Sequence, residues 1–156
     1  MSEQAEPATV TDVAVELAEI EVDLPRVGII MGSKSDMDVM DGAAGVLRDA
    51  GVHHEVRVTS AHREPEVVAE YCKNARMRGL RVIIAGAGLS AALPGVAAAN
   101  TDLPVIGVPL SSRLSAMGGL DAILSVLQMP PGVPVAGVGL DNAKNAGVLA
   151  LRILNA

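Results

Sequence analysis

Residues 27–36 read Val-Gly-Ile-Ile-Met-Gly-Ser-Lys-Ser-Asp, and this stretch decides the fold. The apolar run Val27 to Met31 predicts a short buried β-strand. Glycine and serine follow at once, and apolar residues then recur at helical spacing from Asp36 to Ala50, before Gly51. Such a pattern is typical of a helix with glycine just beyond its end. Strand, small-residue loop and helix together form one β-α unit of a parallel sheet.

Four further β-α units follow along the chain. We predict strands at Glu55–Val58, Arg81–Ala87, Pro104–Val108 and Val133–Val138, and helices at Pro65–Met77, Ala91–Ala99, Leu120–Leu127 and Asn142–Leu154. Five units predict an α/β fold, a three-layer α/β/α sandwich around a five-stranded parallel sheet with right-handed crossovers. Ligands of such sheets bind at the carboxyl ends of the strands, so the loops that follow the strands should carry the chemistry.

The composition excludes several classes of protein. Half of the 156 residues are hydrophobic and 19% are charged, unlike a disordered or strongly charged segment. One tyrosine and no phenylalanine or tryptophan leave little surface on which bases could stack, so nucleic acid is not an expected partner. The single cysteine, Cys72, excludes an intramolecular disulfide and a cysteine-based metal site, and it fits a reducing, cytoplasmic setting. No apolar run approaches the ~20 residues of a membrane span, so no membrane contact is expected.

The net charge of -6 is unevenly distributed. Residues 1–23 hold seven acidic residues and no lysine or arginine, which leaves eleven acids against twelve bases in the rest. We therefore predict two parts, an acidic and partly ordered N-terminal extension over residues 1–25 and a single domain over residues 26–156. Apolar residues from Val10 to Ile20 recur at helical spacing, so a short amphipathic helix that docks on a neighbouring subunit is the alternative for the extension.

The loop after the first predicted strand has the composition of an anion site. Gly32, Ser33 and Ser35 are small, so backbone N–H groups can approach a phosphate, and a helix N-terminus favours an anion. Asp36 could bind sugar hydroxyls, or it could cap the helix. The segment matches neither the nucleoside triphosphate loop nor the dinucleotide fingerprint. Phosphate binding and plain loop-and-cap chemistry are both open at this point.

The loop after the second predicted strand reads Ser60-Ala61-His62-Arg63. Imidazole exchanges protons near neutral pH, which suits proton transfer in catalysis. Arginine offers a fixed cation for a phosphate or a carboxylate. The alternative is that His62 is a surface residue and Arg63 pairs with Glu66.

A glycine-rich run, residues 85–88, ends the third predicted strand. Bare backbone there lets a ligand approach closely, or it lets a helix pack tightly on the sheet. Two weaker signals are the segment at residues 107–109 with the serine- and glycine-containing loop after it, and the proline-rich turn at residues 128–134 that leads into the fifth strand.

Taken in order, these motifs resemble the PurE family, the N5-carboxyaminoimidazole ribonucleotide mutases and aminoimidazole ribonucleotide (AIR) carboxylases of purine biosynthesis. The similar segments are GSxSD at 32–36, SAHRxP at 60–65, AGAG at 85–88, LPG at 93–95, GVP at 107–109, GLD at 119–121, QMPxGVP at 128–134 and NAG at 145–147. The likeness covers residues 26–154, so residues 26–156 are the expected catalytic domain.

The resemblance implies a flavodoxin-like subunit, a homo-octamer, a phosphoribosyl-aminoimidazole substrate, CO2, and neither metal nor cofactor. It implies that His62 moves protons. The substrate contacts it implies are Gly32, Ser33, Ser35, Asp36, Ser60, Ala61, Arg63, Gly86, Ala87, Gly88, Ser90 and Leu93. The expected reaction is that of the mutase, which moves a carboxylate from N5 to C4 of the substrate.

One loop departs from the family pattern. Mutases of bacteria read AGAGGAAHLPG, whereas this chain has Leu89-Ser90 for Gly-Ala and Ala92 for the histidine. Direct carboxylases of animals read AGRSNGLG, of which this loop shares Ser90. Arg63 and the QMPxGVP segment are similar to the mutases. The alternatives are a direct AIR carboxylase that uses CO2, a carboxylase of another phosphoribosyl heterocycle, and a flavodoxin-like binding module without activity.

Overall fold

A computed structural model describes residues 24–156, so the predicted helical pattern from Val10 to Ile20 lies outside the described residues. The strands are β1 (Val27–Met31), β2 (His54–Val58), β3 (Val82–Gly88), β4 (Val105–Leu110) and β5 (Ala136–Gly137). The helices are α1 (Met37–Asp49), α2 (Pro65–Lys73), α3 (Leu93–Ala99), α4 (Leu120–Leu127) and α5 (Ala143–Leu154). Single 3-10 turns precede α1 at Lys34–Asp36 and α4 at Ala116–Gly119.

The five strands form one parallel sheet in the order β2-β1-β3-β4-β5. Helices α2, α3 and α4 cover one face of the sheet, and α1 and α5 cover the other. The three-layer, flavodoxin-like fold predicted from the sequence is confirmed. The strand order reverses between β1 and β3, and in such sheets this switch point opens the crevice in which ligands bind.

Burial explains why the central strands read as continuous apolar runs. Successive side chains of a strand point to opposite faces. Ile30 and Ile83 thus enter the core beneath α2, α3 and α4, while Ile29 and Ile84 enter the core beneath α1 and α5. All four are fully buried, because helices cover both faces of a doubly wound sheet.

Two predicted elements are each four residues shorter than expected. The strand expected at Val133–Val138 is only Ala136–Gly137, which pair with Ile106 and Gly107. The residues before it include prolines, which have no N–H to donate to a sheet. Helix α2 ends at Lys73 rather than Met77, because the chain tightens into turns before Gly79, whose φ of +96° favours glycine.

None of the helices described between residues 24 and 156 is long and apolar enough to cross a lipid bilayer.

Candidate active site

A cavity of about 240 Å³ opens where β1, β2, β3 and β4 end, and the loops after all four strands line it. Among its lining residues are Gly32, Ser33, Ser35, Asp36, Ser60, Ala61, His62, Arg63, Ala87, Gly88 and Leu93. The fold therefore gathers most of the residues singled out in the sequence, although they come from segments far apart in the chain.

Two of the predicted contacts, Gly86 and Ser90, do not line this cavity. Gly86 lies within β3, and a Cβ there would clash with Met40 Sδ, so its lack of a side chain serves packing against α1. Gly88, two residues further along, does line the cavity. The glycine-rich run therefore serves both helix packing, at Gly86, and close approach of a ligand, at Gly88. Ser90 is exposed in the turn after β3.

Short-range hydrogen bonds shape the loop after β1. The Ser35 backbone N–H and its hydroxyl both donate to Ser33 Oγ, at 3.2 and 2.9 Å. The Ser33 N–H donates to Asp36 Oδ2 at 3.1 Å, which completes a capping box around the 3-10 turn. The cap is thus real, and it presents two serines and a carboxylate to the cavity.

The carboxyl group of Asp36 is half-buried, and burial raises its pKa above the usual value for aspartate, an effect partly offset by the N–H of Ser33. A carboxylate has two oxygens and can accept several hydrogen bonds. Its capping bond therefore leaves Asp36 able to accept a hydrogen bond from a hydroxyl in the cavity.

Arg63 connects the loops after β1 and β2. Its guanidinium Nη2 donates to the carbonyl of Gly32 at 2.9 Å, and its backbone N–H donates to Ser60 Oγ at 3.3 Å. Among the described residues it forms no ion pair with Glu66, the partner considered in the alternative above. A guanidinium has five N–H donors, so this one contact leaves most of them available to an anion beside Ser33.

His62 lies between Ala61 and Arg63 on the cavity wall, in a turn closed by the Glu64 N–H donating to the Ser60 carbonyl at 2.8 Å. Helix α2 begins directly after this turn, at Pro65, whose fixed φ suits a first helical position. The imidazole is exposed, so solvent and a bound ligand can both reach it.

The cavity is also lined by six residues that were not among the predicted substrate contacts, namely Leu89, Ala91, Ala92, Leu110, Ser111 and Ser112. Ala92 is half-buried at the N-terminus of α3, and Leu89 has a left-handed backbone with φ of 56°. The serines follow β4, which continues to Leu110 rather than ending at Val108. The sequence did carry a signal for these serines. They directly follow a buried strand and so lie at its carboxyl end, where ligands of such sheets bind.

Two other hollows help to define the site. One of about 570 Å³ adjoins the cavity, shares Gly32, Ser33, Ser60 and Arg63 with it, and adds Lys34. The other, of about 390 Å³, lies between β2 and α2 against Tyr71 and Arg78, and no histidine or serine lines it. The chemistry of the lining residues therefore favours the cavity at the strand ends, rather than that separate hollow, as the active site.

Comparison with known proteins identifies what this arrangement is similar to. The model of a family described as AIR carboxylase matches residues 26–156. The N5-carboxyaminoimidazole ribonucleotide mutase of Pyrococcus abyssi is 59% identical over 136 residues, which are 87% of this chain and 77% of that protein. The mutase of Aquifex aeolicus is 57% identical over 131 residues, 84% of this chain and 77% of that one. The crystal structure of Treponema denticola PurE superposes with a TM-score of 0.72 at 35% identity, covering 84% of this chain and 80% of that one.

Proposed function

The chain belongs to the AIR carboxylase family, and we infer that it is an N5-carboxyaminoimidazole ribonucleotide mutase whose proton carrier is His62. The observation that carries this inference is the single cavity that joins His62 to Arg63 and to the serines after β1. In the reaction the bond from N5 to the carboxyl carbon breaks and a bond from C4 to that carbon forms. The proton on C4 leaves and N5 gains one, so substrate and product are isomers.

The loops after β1 and β2 hold the ribose 5-phosphate. Arg63 supplies a cation with free N–H donors, Ser33 and Ser35 supply hydroxyls, and Lys34 adds a positive charge in the adjoining hollow. The carboxylate of Asp36 would repel a phosphate, so it accepts hydrogen bonds from the ribose hydroxyls instead. This division of roles explains why the acidic Asp36 and the basic Lys34 and Arg63 occur together in the loops after β1 and β2.

His62 moves the proton. Imidazole both accepts and donates protons near neutral pH, so one residue can take the proton from C4 and return a proton to N5. Among the side chains that line the cavity, only those of His62 and Asp36 carry a group that can act as a base. Asp36 is occupied as a cap and as a partner of the sugar, which leaves His62 as the carrier.

The loop after β3 forms the wall for the CO2 that passes between N5 and C4. Ala87, Gly88, Ala91 and Ala92 are small and apolar, so they leave room for the gas and offer it no nucleophile. Keeping CO2 beside C4 converts a bimolecular step into a step within one complex, an advantage worth several kcal/mol.

The enzyme works as a cytoplasmic homo-octamer. Exposed apolar side chains on α4 and the segment before it support assembly, since Leu114 is 77% and Met117 84% exposed and Leu127 is 54% exposed. Apolar surfaces of this kind are usually covered by another chain. Light scattering should give eight times the 15.9 kDa of one chain, and a mass near that of one chain would contradict the proposal.

A direct AIR carboxylase is the second candidate, and Ala92 with Leu89 is the observation that favours it. Purified full-length protein should be given N5-carboxyaminoimidazole ribonucleotide in one assay and AIR with bicarbonate in another, and product formation followed by ultraviolet absorbance. The mutase assignment requires a much higher kcat/KM with the carbamate substrate. Preference for AIR with CO2 would overturn it in favour of the carboxylase, and turnover of neither would contradict both.

A further inference from the structure

Ser111 and Asp141 form a paired hydrogen-bond contact on the β4 side of the cavity. The Ser111 hydroxyl donates to Asp141 Oδ2 at 2.5 Å, and the Ser111 backbone N–H donates to Oδ1 at 2.8 Å. The Asp141 N–H in turn donates to the Pro109 carbonyl at 2.9 Å. These three bonds hold a residue after β5 against the end of β4. The hydroxyl bond has the short length of a charge-assisted O–H···O⁻ bond.

The backbone of Asp141 is held in an unusual conformation. Its φ of 55° lies in the left-handed region, which residues with a Cβ rarely adopt, although asparagine and aspartate tolerate it best. Strained residues of this kind persist where the surrounding contacts require them, and they cluster at functional sites. Here the conformation lets both carboxylate oxygens face Ser111, which lines the cavity.

We propose that Asp141 is a positioning residue that turns Ser111 into a hydrogen-bond acceptor for the N5–H group of the substrate's aminoimidazole. A serine hydroxyl has a single hydrogen, and Asp141 takes it. The oxygen of Ser111 then offers the cavity only lone pairs, which accept from an N–H donor and repel a carboxylate. The proposal rests on the mutase assignment, because that assignment supplies the substrate.

The sheet order explains why the partner is the heterocycle rather than the phosphate. The phosphate contacts proposed above follow β1 and β2, whereas Ser111 follows β4, two strands from β1 in the order β1-β3-β4. Neighbouring strands are ~4.8 Å apart, so the two ends of the cavity are separated by roughly 10 Å. A phosphoribosyl group bound at β1 therefore directs its aminoimidazole toward β4.

The substitution Asp141→Asn tests the proposal because it reverses one hydrogen bond and preserves the rest. Asparagine keeps the shape, tolerates the left-handed backbone, and still accepts from the Ser111 N–H through Oδ1. Its Nδ2 must donate to Ser111 Oγ, so the hydroxyl hydrogen then points elsewhere. We expect KM for the carbamate substrate to rise about 5- to 20-fold, and kcat to change by less than about threefold.

Ser111→Ala should raise KM by a similar factor, and the double variant should be no worse than Ser111→Ala alone, because both changes remove one interaction. Asp121→Asn is the matched control. Asp121 also accepts two backbone N–H groups, from Ala116 and Ala122, but it does not line the cavity, so its KM should stay at the wild-type value.

Unchanged KM in Asp141→Asn, or effects of the two single changes that multiply in the double variant, would overturn the proposal while leaving the mutase assignment intact. If the wild-type protein turns over no substrate, the mutase assignment fails on its own. In that case the affinity of the same variants for AIR, measured by calorimetry, tests the proposal, because AIR carries the N5 amino group. Weaker binding by Ser111→Ala and Asp141→Asn supports the proposal, and wild-type affinity in both overturns it.

Discussion

The two sides of the cavity are built by different means. The first side, residues 32–36 and 60–63, is held by hydrogen bonds that span two or three residues and by the Arg63 contact with the Gly32 carbonyl. No non-glycine residue in it has a left-handed backbone. The second side, residues 87–93 and 110–112 with their support at residue 141, includes Leu89 and Asp141 at φ of 56° and 55°. A bond across thirty positions, from Ser111 to Asp141, fixes it.

The difference corresponds to what each side binds in our account. A phosphate and a ribose present many equivalent acceptors and hydroxyls, so in our account a locally bonded cap with one arginine is sufficient to hold them. The heterocycle and the migrating carboxylate need atoms placed to within a fraction of an ångström, since misplacement of reacting groups reduces the rate steeply. In our account the left-handed residues and the Ser111–Asp141 contact provide that placement.

The largest effect is expected for His62→Asn, on the first side. It removes the proposed proton carrier and retains a polar side chain of similar size, so kcat should fall by about 100- to 10,000-fold with little change in KM. Steady-state kinetics measure both quantities. His54→Asn is the matched control, because His54 begins β2 at the opposite end of the sheet and should leave kcat unchanged. Near-normal kcat in His62→Asn would remove the proton carrier from the account.

Arg63→Ala should raise KM by about 10- to 100-fold, because a charged hydrogen-bond donor to the phosphate is lost. It also breaks the contact with the Gly32 carbonyl that joins the two loops of the first side. Arg63→Lys should recover only part of the affinity, since an ammonium group lacks the planar fork of a guanidinium. Arg81→Ala, at the residue before β3 and away from the cavity, serves as the control. A KM rise of the same size in Arg63→Ala and Arg81→Ala would indicate a general effect of charge and contradict a specific contact between Arg63 and the phosphate.

Ser33→Ala should destabilise the fold by about 1 kcal/mol, because the Ser33 hydroxyl caps the turn before α1. Ser35→Ala should cost less, since its hydroxyl donates only to Ser33. Thermal unfolding followed by far-ultraviolet circular dichroism gives both values, with a shift of about 2–4 °C expected for the first. Equal losses in the two variants would argue against the capping box as the source of stability.

Leu89→Gly should act in the opposite direction on the second side. Relief of the left-handed backbone favours glycine, partly offset by its entropy in the unfolded chain, so stability should rise by up to about 1 kcal/mol. Leu89→Val should lower it, because branching at Cβ disfavours that backbone further. Destabilisation by glycine would show that the side chain of Leu89 contributes more to packing than its backbone costs.

The smallest effect concerns Asp36 and depends on pH. Burial raises the pKa of Asp36 in the folded protein, so folding favours the protonated carboxyl group over the ionised one. The stability that the protonated group contributes is present below the pKa of the unfolded chain and is lost as pH rises through the folded pKa. Asp36→Asn should therefore stabilise the protein at pH 7 by less than about 1 kcal/mol, because solvent screens a half-exposed group. The gain should vanish below the ordinary aspartate pKa. A loss of stability at pH 7 would mean that Asp36 serves mainly as a cap.

The sequence predicted the first side of the site more completely than the second, for a physical reason. Ser33, Ser35 and Asp36 contact one another, so their spacing reveals the cap, and apolar runs such as residues 27–31 reveal a strand buried on both faces. The partner of Ser111 lies thirty positions away, and no local pattern marks it. The role of Gly86 depends on which sheet face it occupies, and the Val133–Val138 strand was overestimated because proline restricts its pairing.

The central claim is that one cavity moves a carboxyl group from N5 to C4 without releasing it. The direct test supplies the enzyme with N5-carboxyaminoimidazole ribonucleotide labelled with ¹³C in the carboxyl group, in buffer that contains excess unlabelled bicarbonate. Mass spectrometry then gives the label in the carboxyaminoimidazole ribonucleotide formed in the first turnovers. The account predicts that the product keeps the ¹³C. A product that carries the unlabelled carbon of bicarbonate would contradict it and identify a carboxylase that takes CO2 from solution.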